Sequence, residues 1–132
     1  SVDGAIAAFD PAENVHRDHI LKTSTVPARI GVRTAARAHE ISTRIVQALD
    51  YVGVLGVEFF VLKGGPLIAN EIAPRVHNSG HWSEDATAAS QFENHVRAVA
   101  GWPVAEPVRH SDVEMENLIG ADADRWACLL EH

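Results

Sequence analysis

The sequence contains one cysteine, Cys128, among its 132 residues. A single cysteine excludes an internal disulfide framework and a cysteine-rich zinc site, and no catalytic motif surrounds it. No apolar run approaches the roughly 20 residues needed to cross a membrane. The first residues also do not combine the basic, apolar and cleavage regions of a secretory signal. We therefore expect a soluble, cytoplasmic domain.

Basic residues are also few, with 11 Lys and Arg against 18 Asp and Glu, and the formal net charge is −7. Non-specific nucleic-acid binding needs clustered Lys and Arg, so this charge argues against it. It does not exclude nucleotides, because a small anion responds to local groups and to a bound metal. The length suits one domain.

Two amphipathic helices are predicted, because apolar residues recur at helical spacing over about 28–49 and 86–100. Shorter apolar runs at 54–62 and 67–73 flank the turn Lys63-Gly64-Gly65-Pro66 and predict an antiparallel hairpin. The order of the predicted strands and helices along the chain indicates an α+β fold with a mostly antiparallel sheet and two main helices. The predicted apolar helix faces are Ala38, Ile41, Ile45 and Leu49, then Ala89, Phe92, Val96 and Val99. Further strands are predicted at 4–9, 20–26 and 113–120, loops at 10–19 and 75–83, and a short helical tail at 121–129.

Two glutamates lie in the predicted hairpin within otherwise apolar runs, VEFFVL and IANEIA. A turn centred at 64–65 places them directly opposite each other. Like charges in that position destabilise a sheet, so a compensating group is expected. Mg²⁺ fits, because it takes oxygen ligands and is often held by one or two carboxylates plus phosphate oxygens. The predicted cross-strand pairs are Leu62–Leu67, Phe60–Ala69 and Glu58–Glu71, with Glu58 and Glu71 as metal ligands.

Other interpretations of this hairpin stay open. Both acids could be solvated on an exposed edge, and a one-residue slip in register would put them on opposite faces. Asn70, beside Glu71, would add a neutral oxygen donor to a metal site.

A polar loop, APRVHNSGHW, follows the hairpin over residues 73–82. Arg75 can bind a carboxylate or phosphate through two parallel hydrogen bonds, and His77 can exchange protons near neutral pH. The Asn-Ser-Gly that follows offers hydrogen-bonding groups to an anion. A zinc site on His77 and His81, or a purely structural turn, are the alternatives. Ser79-Gly80 disfavours a helix that would aim both rings one way, and there is no HExxH pattern.

Longer strings carry a resemblance to known proteins. NEIAPRVHNSGHW is followed by SQFENHVRAV, and ENVHRDHILKTSTVPA, YVGVLGVEFFV and MENLIG occupy matching places in the order. Together they resemble the 5-(carboxyamino)imidazole ribonucleotide synthases, the ATPase subunit of phosphoribosylaminoimidazole carboxylase in de novo purine biosynthesis. The resemblance covers nearly all of residues 3–120. It implies an ATP-grasp fold and an ATP-dependent ligase.

The resemblance also implies a reaction and a set of roles. ATP phosphorylates bicarbonate to carboxyphosphate, and the carboxyl group passes to the amine of aminoimidazole ribonucleotide. ATP and Mg²⁺ are the implied cofactors. The implied roles are metal binding for Glu58 and Glu71, nucleotide binding for His16, Asn70 and Glu71, substrate binding for Arg75, His77, Asn78 and Ser79, and catalysis for Arg75 and His77.

Members of this family are longer, so we expect a piece of the C-terminal region of the ligase. Residues 1–120 would be a partial ATP-grasp domain, 121–129 the start of the C-terminal region, and 130–132 an expression-tag remnant. We expect the piece alone to be inactive and to form a homo-oligomer, because missing neighbours would expose apolar surface. Another ATP-grasp ligase, or a binding module without chemistry, are the alternatives.

Overall fold

The computed structural model describes residues 3–129, so the predicted tag remnant at 130–132 lies outside the described residues. Every strand pair found among them is antiparallel, and the succession of strands and helices confirms the α+β class. No helix within 3–129 is long and apolar enough to cross a membrane. The elements are β1 (Glu13–Arg17), β2 (Ile20–Val26), α1 (Val32–Ala48), β3 (Gly56–Val61), β4 (Leu67–Ala73), α2 (Ser83–Ala86), α3 (Gln91–Val99), β5 (Val113–Glu116) and α4 (Trp126–Leu129).

One sheet has the strand order β1-β2-β5. The predicted strand at 20–26 is confirmed as β2, where β-branched residues suit a central position. The predicted strand at 4–9 is wrong, because a strand needs a hydrogen-bonded neighbour and none in 3–129 pairs with it. The polar segment at 10–19, predicted as a loop, instead supplies β1. An edge strand keeps polar side chains solvated while its backbone pairs with β2.

The best-buried apolar cluster lies against the inner face of this sheet. Val26, Trp82 and Ala86 are 3% exposed or less, and Phe9 packs edge-on against the Trp82 ring at 6.2 Å between centroids. Burial of this apolar area is the main favourable contribution to the stability of the sheet. The loop that leads out of the hairpin is thereby anchored at Trp82.

The first predicted helix is confirmed as α1, which begins at Val32 and ends before Asp50, a residue with φ of 47°. Of its predicted apolar face, Ala38 is buried while Leu49 is 58% exposed. The tail is helical as predicted, with a 3₁₀ turn at Gly120–Arg125 followed by α4. The predicted strand at 113–120 is shorter, ending at Glu116.

The second predicted helix differs from the structure in extent and in orientation. Residues 83–86 form the short α2, a non-helical stretch follows, and α3 begins after the N-cap Ser90, whose side chain accepts from the Glu93 amide. Of the predicted apolar face, Ala89 is buried, but Val96 and Val99 are wrong, since both are 62% exposed. The buried residues of α3 are Gln91, Asn94 and Ala98. Polar side chains are buried there because each of the two amides finds partners in the backbone of another segment.

Candidate functional site

A cleft of about 1200 Å³ lies between the β3–β4 hairpin, the inner side of α1 and the extended residues 5–14. It gathers most of the side chains that the sequence singled out, from three different parts of the chain. Those that line it are His16, Glu58, Asn70, Glu71, His77 and Ser79. Arg75 and Asn78 do not line it.

The hairpin brings the two glutamates together as predicted, with Glu58 directly opposite Glu71. The predicted pairs nearer the turn are wrong, because Phe60 faces Ile68 and Leu67 faces Val61. The register shifts by one residue between Glu58 and Phe59. This shift is a β-bulge, and it leaves Asn70 without a partner on β3.

The bulge has a consequence for the site. Asn70 donates a hydrogen bond from its side-chain amide to Glu58 Oε2 at 3.3 Å. Two consecutive residues of β4, Asn70 and Glu71, therefore both lie beside Glu58. In a regular strand, neighbours point to opposite faces. Bulges commonly re-aim side chains next to active sites, and this one places Asn70 together with the acid pair.

Glu58 also receives a hydrogen bond from the other sheet. Asn14 on β1 donates its amide to Glu58 Oε1 at 3.4 Å. The Asn14 side-chain oxygen, Oδ1, accepts a hydrogen bond from the Ser24 hydroxyl at 2.7 Å, which fixes the orientation of the Asn14 amide. Ser24 is fully buried on β2. Glu58 is therefore held by two neutral amide donors, and no cationic side chain in the described part of the chain forms an ion pair with it.

His77 lies on the other side of the acid pair. Its Nδ1 is 2.8 Å from Ser79 Oγ and accepts from the Ser79 backbone amide at 3.4 Å. In the neutral ring, an accepting Nδ1 leaves the proton on Nε2. Nε2 is 3.6 Å from Glu71 Oε1, so that proton is directed toward the carboxylate. A methyl group at Gly56 would lie 3.0 Å from His77 Cβ, so a larger residue there would have to displace the His77 side chain by a few tenths of an ångström.

The remaining loop residues are arranged differently. Arg75 is exposed and donates to the carbonyl of its neighbour Val76 at 2.9 Å. Asn78 Oδ1 is buried without a hydrogen-bond partner in the described structure. The substrate-binding roles suggested for Arg75 and Asn78 therefore stay predictions.

The donor set can be compared with what a metal requires. Within residues 3–129 there is no group of three or more His, Cys, Asp or Glu side chains that could hold an ion. The zinc alternative finds no support, because the His81 ring stacks on Phe92 at 5.3 Å while His77 faces Glu71. Two carboxylates fit Mg²⁺, which completes its shell with water and substrate phosphates rather than with a protein cage.

A charged pair closes the rim of the cleft where Glu13 meets Arg29. The guanidinium donates to both carboxylate oxygens, at 2.9 and 2.6 Å, and the Arg29 backbone amide adds a third contact at 3.2 Å. These hydrogen bonds favour the ionised carboxylate, so they lower the pKa of Glu13. The pair links β1 to the segment that enters α1.

Sequence reasoning missed Asn14 and Gln91 as parts of this site. Asn14 lies in a stretch that looked like a loop, although its spacing of two from His16 fits one face of a strand. Gln91 is buried at 3% exposure and bonds both backbone polar groups of His77. Its only signal in the sequence is a polar residue at the start of a helix.

Comparisons with known proteins agree with this picture. The ATP-grasp domain model matches residues 1–92. The chain is 62% identical over 127 residues to the N5-carboxyaminoimidazole ribonucleotide synthase of Brucella melitensis, covering 96% of this chain and 35% of that protein. It is 43% identical to the enzyme of the same name from Escherichia coli, covering 92% of this chain and 34% of that protein. The chain thus spans about a third of the length of the curated relatives that it matches.

Solved structures of proteins with closely related names are also similar to this chain. A crystal structure of an ADP complex of N5-carboxyaminoimidazole ribonucleotide synthetase superposes with a TM-score of 0.90 at 37% identity, covering 93% of this chain and 33% of the other. The Aspergillus clavatus N5-carboxyaminoimidazole synthase, in complex with ADP and 5-aminoimidazole ribonucleotide, has a TM-score of 0.85 at 34% identity. That match covers 90% of this chain and 34% of the other.

Proposed function

Because the chain belongs to the ATP-grasp domain family, we propose that its cleft is one wall of the nucleotide site of an N5-carboxyaminoimidazole ribonucleotide synthase. The observation that carries the proposal is the bulged hairpin, which opposes Glu58 to Glu71 and adds Asn70 beside them. Two opposed carboxylates destabilise a sheet unless something compensates for their charge. A metal–nucleotide complex is such a compensating group.

The proposed reaction joins a carboxyl group to an amine at the expense of ATP. A bicarbonate oxygen attacks the γ-phosphorus, the bond to ADP breaks, and carboxyphosphate forms. The exocyclic amine of aminoimidazole ribonucleotide then attacks the carboxyl carbon, phosphate leaves and the amine loses a proton. The products are ADP, phosphate and the carbamate. We expect this reaction to take place in the cytoplasm.

Glu58 and Glu71 would hold Mg²⁺, which neutralises charge on the phosphate oxygens when it is bound. Asn14 and Asn70 support this role, because they hold the Glu58 carboxylate with neutral donors and leave its charge for the ion. His16, Asn70 and Glu71 would contact the nucleotide. The position of His16 on the wall of the same cleft supports this assignment.

The loop after the hairpin would act on the carboxylated substrate. Through its Nε2 proton, His77 is oriented to donate a hydrogen bond to an anionic oxygen beside Glu71. Ser79 would share that contact, and Arg75 and Asn78 would reach the bicarbonate end of the site. Asn78 does not line the cleft, so its proposed role rests on the resemblance to the family.

A hybrid enzyme tests the proposal. The matching third of the Escherichia coli relative is replaced by this chain, and ATP- and bicarbonate-dependent consumption of aminoimidazole ribonucleotide is measured. We expect the hybrid to turn over, and we expect Glu58→Gln or Glu71→Gln to weaken Mg·ADP binding at least about tenfold, which is about 1.4 kcal/mol.

Glu106→Gln is the matched control, because it removes one exposed carboxylate that does not line the cleft. It should leave turnover and nucleotide affinity unchanged. A hybrid that folds and binds Mg·ADP but carboxylates a different amine would point to another ATP-grasp ligase. A folded hybrid whose nucleotide affinity ignores both glutamates would contradict the proposal.

Two properties of the 132-residue polypeptide itself stay predictions. Because it spans about a third of the relatives' length, we expect no turnover from it alone. We also expect a homo-oligomer, since Phe60 and Ile68 face each other on the hairpin and are 57% and 51% exposed. A monomer in light scattering across the micromolar range would contradict the second expectation.

A further inference from the structure

The loop that follows the hairpin, residues 73–82, is called the site loop here. Its backbone is hydrogen-bonded at His77 by one buried side chain. Gln91 Oε1 accepts from the His77 backbone amide at 2.9 Å, and Gln91 Nε2 donates to the His77 carbonyl at 2.8 Å. Gln91 is only 3% exposed. A carboxamide carries a donor and an acceptor side by side, so it pairs with a peptide unit as a neighbouring strand would.

A second layer holds Gln91 itself. Its backbone amide donates to Ser83 Oγ at 3.0 Å, and the Ser83 hydroxyl donates to the Gly80 carbonyl at 2.6 Å. Ser83 is fully buried. A methyl group at Gly80 would lie 2.7 Å from Gln91 Oε1, so a larger residue there would have to displace the Gln91 carboxamide. The loop is therefore held at His77 and at Gly80 by one hydrogen-bonded network.

From these contacts we propose that Gln91 is a positioning residue for His77. With both polar groups of the His77 backbone bound, the direction of the Cα–Cβ bond is set. The ring then meets Ser79 through Nδ1 and Glu71 through Nε2. The importance of this placement for catalysis rests on the proposed function, whereas the placement itself can be measured without turnover.

The same helix supplies a matched control. One turn after Gln91, Asn94 bonds the Ala105 backbone in the same way, through its Nδ2 at 3.1 Å and its Oδ1 at 2.8 Å. Asn94 is 4% exposed, so the two amides are equally buried. Both amides line the cleft, but of the two only Gln91 hydrogen-bonds the site loop. Gln91→Met and Asn94→Leu thus remove equivalent pairs of hydrogen bonds, one to His77 and one to Ala105.

The test is nuclear magnetic resonance of the histidine rings in the 132-residue chain. We expect both variants to lower the melting temperature, because each leaves a buried peptide unit without partners. We expect only Gln91→Met to shift the His77 ring nitrogen signals. Unchanged His77 signals in a folded Gln91→Met variant would overturn the proposal, and so would an equal shift caused by Asn94→Leu.

Gln91→Glu covers the case in which Gln91→Met does not fold. The glutamate keeps the acceptor for the His77 amide but, when ionised, opposes the His77 carbonyl with a second acceptor. When protonated, it again has one donor and one acceptor. We expect the His77 signals of this variant to be perturbed when the glutamate is ionised and to return to the wild-type pattern as it is protonated on acidification. Wild-type signals at every pH would overturn the proposal.

Turnover of the hybrid enzyme separates this proposal from the function of the site. If both hold, Gln91→Met lowers kcat on the order of 100-fold while the KM for ATP changes little, because misplacement of a group by about 1 Å costs that much. If the His77 signals move while kcat does not, positioning by Gln91 stands and the role proposed for His77 fails.

Discussion

The three-stranded sheet and the β3–β4 hairpin use apolar residues in opposite ways. On β2, Leu21, Ser24 and Val26 are buried, and the sheet packs against the Trp82–Ala86 segment. On the hairpin, β4 buries only Ala73. Large apolar side chains of the hairpin remain exposed to solvent, namely Phe60, Val61, Leu62, Ile68 and Ile72.

The difference separates the part of this small chain that supplies stability from the part that carries the proposed site. The sheet supplies the buried apolar area, whereas the hairpin supplies the acid pair and is kept together mainly by its own ladder of hydrogen bonds. An element with few buried contacts is free to hold a costly pair of like charges, because little packing depends on it. Substitutions in the two regions should therefore affect different measurements.

The largest effect on stability is expected at Trp82. Trp82→Ala removes a side chain that is 3% exposed and that packs on Val26 and Phe9. It should lower the free energy of unfolding by about 3–5 kcal/mol, because the cavity adds to the lost burial. Denaturant unfolding followed by circular dichroism measures this.

Phe60→Ala is the matched comparison on the hairpin, since it also deletes an aromatic ring. Phe60 is 57% exposed, so the expected loss is about 1 kcal/mol or less, the size of one cross-strand pair. Equal losses for the two variants would remove the distinction between the regions.

A smaller and opposite effect is expected at Glu71. Glu71→Gln removes a charge directly opposite Glu58, so the free energy of unfolding should rise by about 0.2–1 kcal/mol. The same variant should lose Mg·ADP affinity in the hybrid enzyme, which would mean that the hairpin gives up stability for binding. Glu106→Gln should change neither quantity, and destabilisation by Glu71→Gln would count against this interpretation of the acid pair.

The hairpin also shows the limit of what its sequence can reveal. Two apolar runs around a glycine turn predicted the strands, and the Glu58–Glu71 pair is as predicted. That pair depended on two errors that cancel, because the last strand pair is Val61–Leu67 and the bulge at Asn70 restores the register. Neither the loop length nor a bulge follows from a period-two pattern, since both depend on backbone angles in the folded turn.

The prediction of the buried face of α3 was wrong for another reason. Periodicity predicted burial of Val96 and Val99, yet the buried face consists of Gln91, Asn94 and Ala98. Hydropathy describes transfer out of water and cannot detect a polar side chain whose partners are the peptide units of distant segments. Asn14 and Gln91 stand within the strings that carry the resemblance, but nothing in the sequence shows which backbone or side-chain groups they bond.

The smallest expected effect belongs to the sheet side, where Glu13 pairs with Arg29. The hydrogen bonds from Arg29 lower the pKa of Glu13 in the folded chain. A depressed carboxyl pKa contributes stability that is present above the unfolded value of about 4.3 and is lost as the pH falls through the folded value. As the pH falls below about 5, the free energy of unfolding should therefore decrease more in the wild type than in Glu13→Gln.

Exposure limits the size of this difference, because the Arg29 side chain is 79% exposed and the pair is screened by solvent and salt. Denaturant unfolding of both proteins at a series of pH values measures it, with Glu106→Gln as the charge-matched comparison. Glu13 also lines the cleft, so this comparison uses stability alone. Equal losses of unfolding free energy in wild type and Glu13→Gln as the pH falls would show that the pair adds nothing measurable to the sheet, whose stability would then rest on its buried apolar area.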